Sequence, residues 1–154
     1  MVELIQVEKE EHLTEIKQLF KEYVNTLGFN LHFQDYMKEL TELPGDYSPP
    51  SGRLYLVLYN GNAAGCIALR KLEDTICEMK RMYVKLDFRH KGIGRMMAQK
   101  VIDEARHIGY ERMRLDTIDS MREAIALYQS LGFSAIPPYR YNPIKGAFYM
   151  ELIL

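Results

Sequence analysis

The chain has 154 residues, which favours a single domain spanning residues 1–154. Its composition is 47% hydrophobic and 27% charged, as is usual for a globular protein. The formal net charge of -1 gives no reason to expect nucleic acid or an acidic membrane as a partner, and no stretch approaches the roughly 20 apolar residues of a membrane-spanning helix.

The N-terminal half predicts a strand, two helices and an antiparallel meander. Residues 2–7 predict a short strand, and apolar residues then recur at helical spacing over residues 13–27, with Gly28 as the C-terminal stop. A weaker helix is predicted over residues 33–43, followed by a loop over residues 44–52 that is rich in proline and glycine. Three strands follow, over residues 54–59, 63–70 and 75–84, and Asn60-Gly61 between the first two is the pair most typical of a two-residue hairpin.

The C-terminal half alternates helices and strands. A helix is predicted from Ile93 to its stop at Gly109, and a strand over residues 112–117. Ser120 and Glu123 have the spacing of a capping box, which predicts Ser120 as the N-cap of a helix that ends at Gly132. A last strand is predicted over residues 147–153. This order predicts an α/β fold (an α+β mixed sheet) in which an antiparallel meander precedes β-α-β-α-β, with helices on both faces.

The turn before the third helix is the most informative segment. Its glycines allow the backbone to approach a ligand closely, and the helix that follows offers unpaired N–H groups and the positive end of its dipole. Four basic residues gather here in a chain of almost no net charge: Arg89, His90, Lys91 and Arg95. Such a turn suits a pyrophosphate, although glycines at a strand-to-helix turn can also be purely structural.

Two other phosphate-binding motifs fit this turn less well. Gly92-Ile93-Gly94 begins the dinucleotide pattern Gly-x-Gly-x-x-Gly, and Asp116 lies at a suitable distance, but the third glycine would stand at Met97. A Walker loop is absent, because the sequence contains no Gly-Lys-Ser/Thr triplet.

Two segments resemble one family. Arg89-His90-Lys91-Gly92-Ile93-Gly94 resembles the Arg/Gln-x-x-Gly-x-Gly/Ala signature of the GNAT superfamily of N-acetyltransferases, and residues 124–133 resemble its helix that runs from alanine to Leu-Tyr and is followed by Gly-Phe. The likeness covers residues 75–135 well and the whole element order loosely. It implies direct transfer of an acetyl group from acetyl-coenzyme A (acetyl-CoA) to a primary amine.

The resemblance also implies where the cofactor binds. The strand before the turn would splay from the next parallel strand, the pantetheine arm would enter the gap, and the pyrophosphate would lie on N–H groups of the turn. Met121 stands where many members carry an asparagine that often contacts the cofactor. The implied cofactor-binding residues are Met82, Tyr83, Val84, Arg89, His90, Lys91, Gly92, Ile93, Gly94 and Arg95.

Tyr128 and Glu78 are the candidate catalytic residues. Tyr128 matches the family's frequent catalytic tyrosine and would protonate the departing thiolate, although its apolar helix face also fits a core residue. Glu78 resembles the glutamate that the histone-acetylating branch places four residues before the backbone triplet, and strand alternation puts it on the face of Met82 and Val84. It would remove a proton from the amine. The alternatives are that Glu78 is a solvated strand carboxylate or a partner of Lys80 or Arg81, and that a water chain replaces it as base.

The cysteines and histidines predict no further chemistry. Cys77 would allow an acetyl-cysteine intermediate, but cysteine is usually a small buried hydrophobe and alternation points this one away from Glu78. Cys66 and Cys77 have no metal-type spacing to the scattered histidines, so no metal is predicted. The N-terminus does not resemble a secretory signal, and a reduced, cytoplasmic protein is the expectation.

Two loops are candidates for the acceptor site, since exposed loops on a rigid scaffold often carry specificity. Arg140 would bind a carboxylate of the acceptor through two parallel hydrogen bonds, and Asp46 would hold its ammonium. The candidate substrate-binding residues are Asp46, Tyr47, Arg140 and Tyr141. They predict a small-molecule amine with a nearby carboxylate, whereas the alternative is that the tyrosines cover a sheet edge and Arg140 pairs with a surface acid.

Three further expectations concern function and assembly. One alternative is a non-catalytic coenzyme A binder or sensor that keeps the fold without turnover. A second is an acyltransferase that uses another acyl-CoA. A homodimer is possible, because dimers are common in the family that the sequence resembles.

Overall fold

The computed structural model describes residues 1–27 and 36–154. The predicted helix stop at Gly28 and the predicted start of the second helix at residue 33 lie outside these residues. The helices are α1 Glu10–Leu27, α2 Tyr36–Glu42, α3 Ile93–Ile108 and α4 Arg122–Ser130. The strands are β1 Val2–Gln6, β2 Arg53–Tyr59, β3 Asn62–Glu73, β4 Ile76–Val84, β5 Arg112–Ile118, β6 Ser134–Ile136 and β7 Ala147–Ile153.

The described strands form one mixed sheet in the order β1-β2-β3-β4-β5-β7-β6. Neighbouring strands are antiparallel except β4 and β5, which are parallel. The predicted fold class is therefore confirmed. Asn60 and Gly61 both have positive φ, 50° and 83°, as a type I′ hairpin turn requires. The short strand β6 was not predicted, because Ser134–Ile136 is a three-residue run with a single strongly apolar side chain.

Helices cover both faces of the sheet, and each face has its own hydrophobic core. One core contains α3 and Tyr128 of α4, packed on residues of β4 and β5 such as Met79 and Met113. The other contains Ile16, Leu19 and Phe20 of α1, which pack on β2 and β3. The sheet thus lies between two apolar layers, and polar groups in its central strands are shielded from water on both sides.

A β-bulge interrupts β4 at its centre. Cys66 of β3 lies opposite Tyr83, and Ala68, two residues further along β3, lies opposite Lys80, so β4 carries an extra residue in this interval. Arg81 has φ 58°, a left-handed conformation that is uncommon for a residue with a side chain. A bulge of this kind shifts the alternation of side chains by one position.

The bulge corrects the predicted faces of β4. Met82 and Val84 pack against the core of α3 and α4, together with Met79, while Tyr83 belongs to the core of α1. Glu78 precedes Met79 and projects to the opposite face. The prediction that Glu78 and Met82 share a face is therefore wrong, because strict alternation does not survive the extra residue at Arg81.

The start of α4 also differs from the prediction. Its N-cap is Met121, and no side chain caps it. The N–H of Ile125 donates to the carbonyl of Met121 at 3.0 Å, which is the first helical bond. Ser120 lies in the turn before it, where the N–H of Met121 donates to Ile118. The predicted capping box is therefore wrong by one residue, because the turn that ends β5 already occupies Ser120.

Candidate active site

The sheet opens between β4 and β5. Among the described residues, these strands pair with each other only at 76–78 and 112–114. Both strands continue further, to Val84 and Ile118. The splay that the resemblance implied is therefore present, and the backbone of residues 82–84 lies beside an open gap.

A cleft of about 570 Å³ lies between the end of β4, the turn before α3 and the start of α4. All of the predicted cofactor-binding residues except Lys91 line it. The ammonium of Lys91 lies 5.4 Å from the ring centroid of Tyr59 instead. The predicted residues that line the cleft are Met82, Tyr83, Val84, Arg89, His90, Gly92, Ile93, Gly94 and Arg95.

The first turn of α3 leaves backbone donors at this cleft. Gly92 is its N-cap with φ 79°, a conformation that glycine adopts without steric cost. The first helical bond runs from the N–H of Met96 to the carbonyl of Gly92, at 3.1 Å. The N–H groups of Ile93, Gly94 and Arg95 thus precede the helical hydrogen bonds, and they add to the positive end of the helix dipole. Together they form a site that suits a phosphate.

Two arginines beside this turn are held in place by the protein. Nε of Arg89 donates to the carbonyl of Val84 at 3.0 Å, and its guanidinium lies 6.0 Å from the ring centroid of Tyr83. Nη2 of Arg95 donates to Oγ of Ser130 at 2.7 Å. A guanidinium has five N–H donors, so both side chains retain donors for an anionic ligand in the cleft.

A second, smaller cavity of about 80 Å³ adjoins the cleft, and we call it the gap pocket. The gap pocket and the cleft share Tyr23, Met82, Met121 and Ala124 in their linings. Its other walls carry polar side chains from both strands of the splay, from α4 and from the loop before β7: Lys80, Arg81, Asp116, Thr117, Tyr128 and Asn142. A small molecule in the gap pocket would therefore contact a ligand that fills the cleft.

Tyr128 brings its hydroxyl to the boundary between the two cavities. Its Oη lies 3.9 Å from Sδ of Met82, which lines both. The side chain is buried, and its ring packs 5.7 Å from that of Phe133. Burial raises the pKa of Tyr128 above its ordinary value. The hydroxyl therefore stays protonated at neutral pH and is available as a proton donor.

Glu78 is fully buried and binds three donors. Its Oε1 accepts from Nε of Arg70 at 2.9 Å. Its Oε2 accepts from Oη of Tyr139 at 2.6 Å and from Nη2 of Arg140. Burial acts to raise the pKa of Glu78, but the charges of Lys80, Arg140 and Arg70 together hold it below its ordinary value. Glu78 is thus an ionised carboxylate that joins β3 to the loop after β6.

We expect Glu78→Gln to make the fold less sensitive to acid. A carboxyl whose pKa is lowered by folding stabilises the native state above its unfolded pKa of about 4.3, and this contribution is lost as the pH falls through the folded pKa. Thermal unfolding at a series of pH values should show that the wild type loses stability more steeply than the variant below about pH 4.3. The variant should already be less stable at neutral pH, and parallel curves would contradict the expectation.

Lys80 and Arg81 are buried basic residues that follow Glu78 along β4. Burial and the charge of Arg81 lower the pKa of Lys80 to about 7, although Glu78 and Asp116 act in the opposite direction. Arg81 donates through Nε and Nη2 to the two carboxylate oxygens of Glu39 in α2, at 2.8 and 3.1 Å. Its guanidinium also lies 5.6 Å from the ring centroid of Tyr36. Arg81 therefore ties the bulge of β4 to α2.

The predicted acceptor residues are spread over three environments. Tyr47 is buried and donates to Glu39 at 2.8 Å, so it supports the same ion pair. The side chain of Asp46 is 84% exposed and lies 4.0 Å from Arg70. Arg140 binds Glu78 and stacks 5.1 Å from the ring centroid of Tyr139. Tyr141 is exposed, and none of these four residues lines the gap pocket.

The two cysteines are buried. Sγ of Cys66 donates to the carbonyl of Arg81 at 3.4 Å, and Cys77 belongs to the core of α3 and α4. Burial raises the pKa of both thiols, to about 12 for Cys77. Within the described parts of the chain, no three His, Cys, Asp or Glu side chains gather in a way that could hold a metal ion. No described helix is both long and apolar enough to cross a membrane.

Lys80 and Asp116 were not predicted as acceptor residues, whereas Asn142 stands beside the predicted Arg140 and Tyr141. Asn142 donates to Oδ2 of Asp116 at 3.3 Å, and both line the gap pocket with Lys80. One signal was available, because Glu78, Lys80 and Arg81 place three charges in a strand between apolar neighbours. Charged residues are almost never fully buried unless they are paired, so this run marked a polar site within the sheet.

The sequence is similar to those of known acetyltransferases. The acetyltransferase (GNAT) family matches residues 12–133. An uncharacterised N-acetyltransferase of Schizosaccharomyces pombe is 36% identical, over 91% of this chain and 87% of that protein. Human N-acetylaspartate synthetase is 36% identical over 86 residues, which cover 55% of this chain and 28% of that protein.

Solved structures agree in fold. An acetyltransferase of Streptococcus agalactiae superposes with a TM-score of 0.83 at 20% identity, over 99% of this chain and 98% of that one. The PaiA N-acetyltransferase of Thermoplasma acidophilum, solved in complex with coenzyme A, superposes with a TM-score of 0.75 at 16% identity, over 100% of this chain and 99% of that one. The family match and the S. pombe relative confirm the resemblance seen in the glycine turn and in α4, and the chain belongs to the GNAT family of N-acetyltransferases.

Proposed function

We propose that the protein transfers the acetyl group of acetyl-CoA directly to the primary amine of a small molecule in the cytoplasm. The observation that carries this proposal is the contact between the two cavities at Met82, beside the hydroxyl of Tyr128. The cleft would hold the cofactor and the gap pocket the acceptor. The thioester would then lie at their boundary, within reach of a proton donor.

The cofactor assignment is supported by the backbone of the cleft. The N–H groups at the start of α3 would bind the pyrophosphate, and the open edge of residues 82–84 would bind the pantetheine arm as a neighbouring strand would. Among the described residues, Arg81 and Met82 have no partner in the register with β3 or with β5. An N–H group of this bulge would be free to stabilise the thioester oxygen as it gains charge.

Tyr128 and Glu78 are the proposed catalytic residues. Tyr128 would protonate the thiolate of coenzyme A as the tetrahedral intermediate collapses, since burial keeps its hydroxyl protonated. Glu78 lines neither cavity, so it would act as base through a bridging water, and it is ionised as that role requires. A carboxylate of lowered pKa that binds three donors is a weak proton acceptor, so a water chain from the gap pocket is the alternative. An acidic limb of the rate–pH profile that is identical in Glu78→Gln would favour the water chain.

A thiol-release assay over a panel of small amines tests the proposal. Release of coenzyme A that depends on the amine, with an acetylated product of matching mass, is the expected result. Tight binding of coenzyme A without release by any amine would support the non-catalytic binder instead. Propionyl-CoA and longer acyl-CoA thioesters in the same assay test whether another acyl group is preferred.

Gly94→Val is expected to weaken binding of coenzyme A about 10- to 100-fold, as for the loss of one charge-assisted hydrogen bond. The added Cβ would lie 3.5 Å from Cδ2 of Leu127, an ordinary contact, so the fold tolerates it. The branched methyl groups would crowd the cleft at the N–H groups that bind the phosphate. Isothermal titration with coenzyme A measures the change, with Gly94→Ala as the milder control. Unchanged affinity in a folded Gly94→Val variant would contradict the placement of the pyrophosphate.

A further inference from the structure

The charged residues around the gap pocket carry a surplus positive charge. Arg81 is neutralised by Glu39, with which it forms two hydrogen bonds. Glu78 supplies one negative charge to two arginines, Arg70 and Arg140. Asp46 is the other acid near Arg70, but it is exposed and 4.0 Å away. Apart from the exposed Asp46, the network that holds Glu78 therefore has one cation more than it has anions.

Lys80 adds a further basic side chain beside this network, and it lies in the wall of the gap pocket. Its side chain is buried in the middle of the sheet, with Arg70 on β3, Glu78 and Arg81 on its own strand, and Asp116 on β5 as the charges that act on it. The side chains of Lys80 and Asp116 carry charges of opposite sign, so this pair does not remove the surplus positive charge of the Glu78 network. Burial, and after it the charge of Arg81, lowers the pKa of Lys80 to about 7. An anionic group in the pocket would lower the energy of all these cations.

The acceptor in its reactive form can supply that charge. The amine must be unprotonated to attack a thioester, and an amino acid with a neutral amine has a net charge of -1 from its carboxylate. A volume of about 80 Å³ favours a compact molecule of this kind. Asp116 and Asn142 face the same pocket from β5 and from the loop before β7, and they offer oxygen acceptors to the amine.

We propose that the gap pocket binds an amino acid as the acetyl acceptor, with the carboxylate on Lys80 and the amine directed towards Asp116. The proposal rests on the proposed function, and it assigns the carboxylate to Lys80 where the sequence alone pointed to Arg140. Arg140 lies outside the lining of the pocket, whereas Lys80 is part of it. The partial match to N-acetylaspartate synthetase, whose named product is an acetylated amino acid, agrees with this class of acceptor.

The test compares amino acids with their amides, which keep the amine and remove the carboxylate charge. Wild-type enzyme should acetylate the acids with a kcat/KM about 10- to 100-fold higher than that for the amides. Lys80→Met should abolish this preference by lowering kcat/KM for the acids alone, and Lys80→Arg should retain part of it. Asp116→Asn should lower kcat/KM for the acids and for the amides by similar factors. Lys71→Met replaces an exposed lysine of β3 and should leave the preference unchanged.

Titration of the same acids and amides into the coenzyme A complex separates this inference from the proposed function. If the wild type binds the acids and Lys80→Met does not, but the thiol-release assay detects no turnover, the amino acid site stands and acetyl transfer is refuted. Equal rates with acids and amides, or a loss in Lys80→Met that is the same for both, would overturn the amino acid site while acetyl transfer stands. Thermal unfolding of Lys80→Met and Lys80→Arg establishes that both variants are folded.

Discussion

Tyr128→Phe should lower turnover about 10²-fold and leave the affinity for acetyl-CoA nearly unchanged. The hydroxyl would act on the leaving sulfur, and an interaction made mainly in the transition state affects kcat more than ground-state binding. The thiolate that leaves has a conjugate pKa near 8.5, so the reaction can proceed slowly without the donor. Because burial raises the pKa of Tyr128, its ionisation should not impose a basic limb on the rate near neutral pH.

Tyr110→Phe is a matched control for this variant. Both tyrosines are 7% exposed, and the hydroxyl of Tyr110 donates to the carbonyl of Ser51 at 2.7 Å, outside both cavities. Steady-state kinetics should show a kcat near that of the wild type for Tyr110→Phe, together with a modest loss of stability. If Tyr128→Phe also retains wild-type kcat at neutral pH, Tyr128 is a core residue and not the proton donor.

Glu39→Ala should destabilise the fold by about 3–5 kcal/mol, as for other buried ion pairs that lose one partner. The side chains of Arg81 and Glu39 are 3% and 15% exposed, so the guanidinium would be left in the protein interior without its counter-ion. Burial acts to raise the pKa of Glu39, but the hydrogen bonds and charge of Arg81 hold it below its ordinary value. The stabilisation is therefore present above the unfolded carboxyl pKa and is lost as the pH falls through the folded one.

The same variant should lower turnover, because Glu39 holds the bulge of β4. Arg81 adopts a left-handed φ of 58°, which is strained for a residue with a side chain, and its guanidinium is the group that α2 binds. Urea unfolding measures the stability, and single-turnover acetyl transfer measures the effect on the bulge. Glu42→Ala removes an exposed glutamate from the same helix and should change neither quantity. A loss in Glu39→Ala no larger than that of Glu42→Ala would contradict the role of the ion pair.

Local patterns were enough to predict the fold class and the glycine turn that begins α3. The type I′ turn at Asn60-Gly61 and the helix start at Gly92 depend on backbone conformations that few residues other than glycine and asparagine adopt. Such positions can be predicted from the sequence because the residue type itself permits the backbone conformation. The amphipathic helices α1 and α3 were equally visible, since the spacing of their apolar residues follows the period of the helix.

The gap pocket and its surroundings could not be predicted in the same way, because their geometry depends on contacts between distant segments. The bulge at Arg81 is stabilised by Glu39, 42 residues earlier in the chain. Glu78 meets Tyr139 and Arg140 across separations of 61 and 62 residues. Neither pairing leaves a local pattern, and without the bulge the alternation of β4 gives the wrong face for Met82. The charged residues of β4 can be read from the sequence, but the residues with which they pair cannot.

The burial of both cysteines makes the enzyme suited to colorimetric measurement. Aromatic disulfide reagents react with thiolates, and the thiols of Cys66 and Cys77 are shielded from solvent and have raised pKa values. The folded protein should therefore give almost no colour with such a reagent, while each turnover of the proposed reaction would release one reactive thiol on coenzyme A. Absorbance can be followed continuously during the reaction, without replacing either cysteine. A slow rise of colour in the absence of acetyl-CoA would report unfolding, because only the open chain exposes these two sulfur atoms.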